Sequence, residues 1–98
     1  MEEINNNEFE EKIKEGKVLV DCFATWCGPC RMLSPILEEL SNEIKNYKFY
    51  KLDVDNNKEI ALNFGIMSIP TLLIFETGKL KTKIVGLRSK EELMKVLN

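Results

Sequence analysis

Apolar positions along this chain recur at two different spacings, and the changes between them divide it into alternating strands and helices. Met32, Leu33, Ile36, Leu37, Leu40 and Ile44 repeat three and four apart. That spacing predicts a long amphipathic helix over Cys30 to Lys45. Pro35 falls inside it, where a proline removes one backbone hydrogen bond and predicts a kink setting the first turn apart. Just upstream, Val18 to Ala24 is rich in β-formers and apolar on both faces, the pattern of a central strand covered on both sides.

The flanking segments are shorter but equally patterned. Glu3 to Asn5 reads as a short edge strand and Asn7 as a helix N-cap. Phe9 and Ile13 then form the buried face of a helix that Gly16 ends. Lys48 to Val54 reads as a second core strand, Asp55-Asn56-Asn57 as a loop and helix start, and Lys58 to Phe64 as a short helix closed by Gly65. Thr71 to Glu76 and Lys81 to Val85 are strands separated by the hairpin signal Thr77-Gly78-Lys79. Ser89 to Leu97 is a final helix, with Ser89 and Glu92 spaced as a capping box. The order βαβαβαββα predicts an α/β fold with a central mixed sheet and helices on both faces.

Composition narrows the function. A chain of 98 residues, 44% hydrophobic and 31% charged, suits one domain over residues 1–98 with a single core. The net charge of -2, without blocks of like charge, argues against nucleic acid or an anionic membrane as partner. Apolar runs such as Ser68 to Phe75 are far shorter than the roughly 20 residues of a membrane helix. The acidic, polar stretch Met1 to Asn7 lacks the basic and apolar segments of a secretory signal, so the chain reads as cytoplasmic.

Three cysteines and no histidine are present. There is then no Cys-His pair, no Ser-His-Asp triad and no imidazole ligand for a metal. In a reducing compartment a Cys-x-x-Cys is more often catalytic or metal-binding than a structural staple. Cys27 and Cys30 lie where an apolar strand meets a helix, and there their Cα atoms fall about 5 Å apart, inside the disulfide window.

The run Trp26-Cys27-Gly28-Pro29-Cys30, taken with this element order, resembles the thioredoxin family, and the resemblance covers essentially the whole chain. Val20-Asp21, Pro35, Lys51-Leu52-Asp53-Val54-Asp55, Ser68-Ile69-Pro70-Thr71, Gly78 and Val85-Gly86 continue it in order. Cys22 and Phe23 depart from it, standing where many members carry other aromatic residues. The resemblance implies a thioredoxin fold and a thiol–disulfide oxidoreductase that reduces disulfides in cytosolic proteins. It would hold no bound cofactor and no metal, act as a monomer, and be recharged by a thioredoxin reductase.

Roles for individual residues follow from the resemblance together with their chemistry. A helix N-terminus supplies free N–H donors and the positive end of the dipole, which favour a thiolate at Cys27, the expected nucleophile. The family's lowered cysteine pKa of about 7 is taken over with the resemblance. Cys30, one turn inside and expected to be less accessible, would resolve the mixed disulfide. Asp21 is a carboxylate in an apolar strand, where burial raises its pKa. It would take the proton from Cys30, or else serve as a strand-end carboxylate bonded to a loop. Lys51 would tune Asp21, or else be simply solvated. The resemblance implies a cis Ile69–Pro70 bond beside the disulfide, exposing the Ile69 backbone to an extended substrate. Trp26, Gly28, Pro29, Ile66, Ile69, Pro70, Val85 and Gly86 would form the substrate-binding rim. Cys22 alternates to the face opposite Asp21 and reads as a buried, inert hydrophobe.

Three other readings stay open on the residues alone. An oxidase or isomerase of similar fold would make disulfides instead of removing them, although Gly28-Pro29 between the cysteines resembles the reducing branch. A binding module would use the apolar rim and leave the thiols incidental. A zinc or iron–sulfur site would need a fourth ligand from a second copy.

Overall fold

The computed structural model describes residues 1–97. The elements run β1 (Glu2–Glu3), α1 (Phe9–Ile13), β2 (Lys17–Phe23), α2 (Gly28–Glu43), β3 (Tyr47–Asp53), α3 (Lys58–Asn63), β4 (Thr71–Glu76), β5 (Lys79–Val85) and α4 (Lys90–Leu97). The sheet order is β1-β3-β2-β4-β5, with β1, β3 and β2 parallel and β4 antiparallel to both its neighbours, β2 and β5. This is the mixed sheet and βαβαβαββα order that the apolar spacing predicts.

Alternation along the strands sorts the core into two layers. Val18, Val20, Cys22, Leu52, Leu73 and Phe75 pack with Phe9 and Ile13 of α1 and Ile60 of α3. Leu19, Phe49, Leu72, Ile74 and Ile84 face the other way, onto Leu33, Leu37 and Leu40 of α2 and Leu93 and Leu97 of α4. Burying the apolar face of each helix against the sheet is the main favourable term, on the order of 2 kcal/mol per large side chain. Because β2 lies between two strands and two helical layers, its carboxyl end is a rigid mount for whatever follows it.

Several boundaries differ from the sequence expectation, each for a local reason. β1 is Glu2–Glu3, and Ile4 is instead a buried residue whose N–H bonds to the Lys51 carbonyl at 2.8 Å. Asn7 is not the N-cap of α1. Asn5 Oδ1 accepts from the N–H groups of Asn7 and Glu8 at 2.9 and 3.1 Å, while Glu8 Oε1 accepts from Asn5 N–H at 3.1 Å. The N-cap is Glu8, which makes no side-chain cap bond, and the reciprocal Asn5–Glu8 pair instead closes the turn that leads into the helix. Helix α2 begins at Gly28, not Cys30, ends at Glu43, and continues through Pro35. Met32 is 62% exposed and lies outside the buried stripe of Leu33, Leu37 and Leu40.

Strand β5 starts at Lys79, so the hairpin turns on Thr77 and Gly78, whose φ angles of 51° and 81° suit a tight two-residue turn. β5 is an edge strand carrying Lys79, Lys81 and Lys83, with an irregular register beside Ile74 and Phe75. Ser89 and Glu92 form the expected capping box, with bonds of 3.0 and 3.1 Å.

Candidate active site

The end of β2 and the start of α2 bring the two thiols together. Cys27 is the N-cap of α2 in an extended conformation, and its Sγ accepts the Cys30 N–H at 3.2 Å. Pro29 sits in the first turn, where its missing N–H costs nothing. Cys27 and Cys30 are joined as a disulfide with Cα atoms 5.3 Å apart. An N–H aimed at Cys27 Sγ and the end of the helix dipole both stabilise negative charge on that sulfur once the bond is opened.

Cys27 and Cys30 are equally hidden, each 4% exposed. The expected lower accessibility of Cys30 relative to Cys27 is therefore not seen in the disulfide form. Ala24 packs with both cysteines, and Phe23, Val54 and Ile69 close over them from the β2 end and the loops after β3 and before β4. Cys27 Sγ lies 3.9 Å from the Ile69 carbonyl oxygen. The Ile69–Pro70 peptide is cis, and the Pro70 carbonyl accepts from Gly86 N–H at 2.8 Å. That bond ties the Val85-Gly86 segment to the loop beside the thiols. Gly86 has φ of 94°, a conformation that favours glycine.

The rim residues divide. Trp26 is 67% exposed and Val85 46%, Pro29 is exposed, and Gly28, Ile69 and Gly86 are half-buried, while Pro70 is buried. Ile66 instead packs against the α1–α3 core layer, so much of its surface is spent there. Two features escaped the sequence reading. Trp26 Nε1 donates to Asp55 Oδ2 at 2.7 Å, fixing the indole across the loop after β3. Met67, beside the rim loop, is 96% exposed.

Beneath the disulfide is a cavity of about 220 Å³ lined by Asp21, Cys30, Ser34, Lys51 and neighbouring loop residues. Asp21 is 3% exposed, and its Oδ1 has no hydrogen-bond partner among the described residues. Burial pushes its pKa from 3.8 up to about 7, with the Lys51 charge pulling the other way. A carboxyl that is half ionised near neutrality is matched to proton transfer. Ser34 was not anticipated, although its position one turn beyond Cys30 is a readable helical signal. Cys22 is fully buried on the opposite face, and burial, with Asp21 nearby, pushes its thiol far up. No group of three or more His, Cys, Asp or Glu among the described residues is arranged to hold a metal ion. No helix among them is long and apolar enough to cross a membrane.

The thioredoxin family model matches residues 1–98. The chain belongs to the thioredoxin family. It is 50% identical over 99 residues to the thioredoxin of Listeria monocytogenes serovar 1/2a, covering 100% of this chain and 96% of that one. It is 46% identical to the thioredoxin of Staphylococcus haemolyticus, covering 97% and 92%. A mutant thioredoxin from Halobacterium salinarum NRC-1 superposes with a TM-score of 0.90 at 33% identity, covering 98% of this chain and 86% of that one. A chain from a structure concerned with thiol resolution in yeast mitochondrial 1-Cys peroxiredoxin via glutathione/thioredoxin systems gives 0.92 at 33% identity, covering 99% and 92%. With its adjoining Cys27–Cys30 pair, this thioredoxin-family chain is a thiol–disulfide oxidoreductase with protein-disulfide reductase activity.

Proposed function

We propose that residues 1–98 act as one reducing unit in the cytoplasm, with Cys27 as nucleophile, Cys30 as resolving thiol and Asp21 as proton acceptor. The Cys27 thiolate attacks one sulfur of a substrate disulfide, the other substrate sulfur leaves as a thiolate, and a mixed disulfide forms. Cys30 gives its proton to the Asp21 carboxylate and attacks Cys27 Sγ. The Cys27–Cys30 bond forms, the mixed disulfide breaks, and the second substrate sulfur leaves. Two electrons have passed to the substrate. A thioredoxin reductase returns them, and the protein needs no bound cofactor of its own.

The observation that carries this reading is the Cys27 sulfur at the helix N-cap, 3.2 Å from the Cys30 N–H, above a buried carboxyl. Trp26, Gly28, Pro29, Ile69, Pro70, Val85 and Gly86 give the sulfur a mainly apolar surround suited to extended protein segments. Ile66 contributes only its exposed remainder. Lys51 tunes Asp21 from the cavity wall.

The reduction potential of the Cys27–Cys30 couple tests the reading, measured by equilibration against graded dithiol buffers with alkylation of free thiols. A value near the roughly -270 mV typical of thioredoxins supports a reductant. A value of about -180 to -120 mV would make the protein an oxidase or isomerase instead.

A further inference from the structure

Among the polar groups that line the cavity below the disulfide, two lie on the side of the resolving thiol without a hydrogen-bond partner among the described residues. One is Asp21 Oδ1. The other is the Ser34 hydroxyl, which forms no hydrogen bond among the described residues, although a helical serine commonly bonds back to a carbonyl of the preceding turn. Ser41 in the same helix does bond back, donating to the Glu38 carbonyl at 2.7 Å. In a helix, residue i+4 lies on the same face as residue i, so Ser34 stands one turn behind Cys30. Asp21, Cys30 and Ser34 thus share one cavity. At about 220 Å³, with carboxyl, hydroxyl and ammonium groups in its lining, it is polar and roomy enough for water.

We propose that Ser34 is a positioning residue for the resolving step, its hydroxyl and a cavity water linking the Cys30 thiol to the Asp21 carboxylate. The inference rests on the reading of Cys30 as resolving thiol and Asp21 as acceptor. As Cys30 attacks Cys27 Sγ, its proton passes to the water, a proton of that hydrogen-bonded chain reaches Asp21, and Ser34 keeps its hydroxyl. Asp21 later releases the proton to solvent. A bridging water makes hydrogen bonds nearly as good as direct ones, and the helix sets the Ser34 side chain on the same face as Cys30, where its hydroxyl can turn toward such a water. The other charged groups lining the cavity are Lys51 from β3 and Arg31 from α2, and the Arg31 guanidinium donates to the Thr25 carbonyl at 2.9 Å. Cys22 lies beside Asp21 on β2 but faces the opposite core layer.

Rapid mixing of the reduced protein with a symmetrical aromatic disulfide that releases a coloured thiolate separates the two chemical steps. The first release reports attack by Cys27 and the second reports resolution by Cys30. For Ser34→Ala we expect an unchanged first phase and a second phase slowed about tenfold between pH 6 and 7.5, converging with the parent above pH 9. Ser34→Thr keeps the hydroxyl and should restore the second phase to within about twofold. An unchanged second phase in Ser34→Ala, or a loss that Ser34→Thr does not restore, overturns the role of Ser34. Absence of both phases in the parent protein would instead overturn the underlying assignment of the thiols.

Discussion

Asp21 and Lys51 stand opposite each other in the parallel register of β2 and β3, yet the Lys51 ammonium lies 5.7 Å from the centre of the Phe23 ring. No ion pair joins it to Asp21 among the described residues, and Asp21 Oδ1 stays unpartnered. The lysine therefore acts on the carboxyl through space, moderating the rise that burial imposes without cancelling it. Placed over that ring, the cation makes no direct contact with the carboxyl.

Replacing Lys51 by methionine should raise the Asp21 pKa further, because the positive charge that lowers it is removed. A shift of about one unit is expected for a charge at this range in a partly solvated site. Carboxyl carbon NMR of Asp21 through a pH titration measures it directly. A downward shift would contradict the account.

Asp21 also makes stability depend on pH, in the direction opposite to an ion-paired carboxylate. Its folded pKa of about 7 lies above the ordinary 3.8, so the folded state binds the proton more tightly and stability falls as pH rises from about 4 to 7. The full rise corresponds to about 4 kcal/mol as an upper bound. Asp21→Asn should accordingly gain about 2–4 kcal/mol at pH 8.5 and little at pH 4. Urea unfolding at both pH values tests it, and equal effects at the two would refute the burial argument.

The indole of Trp26 is held by Asp55 at 2.7 Å on an exposed surface. Asp55→Ala should cost no more than about 1 kcal/mol in stability, as exposed polar contacts do. It should lower kcat/KM for a protein disulfide about threefold through loss of a preset rim, a change of roughly 0.7 kcal/mol. A small aromatic disulfide, which needs less of the rim, should react as before.

Full burial and a strongly raised pKa make Cys22 unreactive in the folded protein. Alkylation of the native reduced chain should leave Cys22 unlabelled, and denaturant should expose it. Cys22→Ala should keep disulfide reduction within about twofold while costing about 1 kcal/mol of stability for the small cavity.

What could be read in advance was whatever local spacing decides. The β2 segment and the Leu33, Leu37 and Leu40 stripe announce themselves because neighbours in sequence share one burial fate. Met32 misled for the same reason, since an apolar side chain next to the stripe matches the spacing while its direction on the helix points away. The start of α1 was misplaced because Asn7 is a favoured capping type, while the helix begins after Glu8, a poor one, behind a turn that Asn5 and Glu8 close. The shielding of Cys27 was legible only in part, through the resemblance that set Ile69–Pro70 beside the disulfide. Val54 also covers it, and only the folded sheet brings that residue there.

The lysines of β5 carry a consequence for crowding. An open strand edge offers unpaired backbone groups to any copy of the same sheet, and repeated positive charge with a register irregularity makes such pairing unfavourable. A second molecule approaching that edge would bring Lys79, Lys81 and Lys83 against their own counterparts. Association of copies through the β5 edge is thereby disfavoured, which leaves Val85, at the end of the same strand, uncovered beside the thiols.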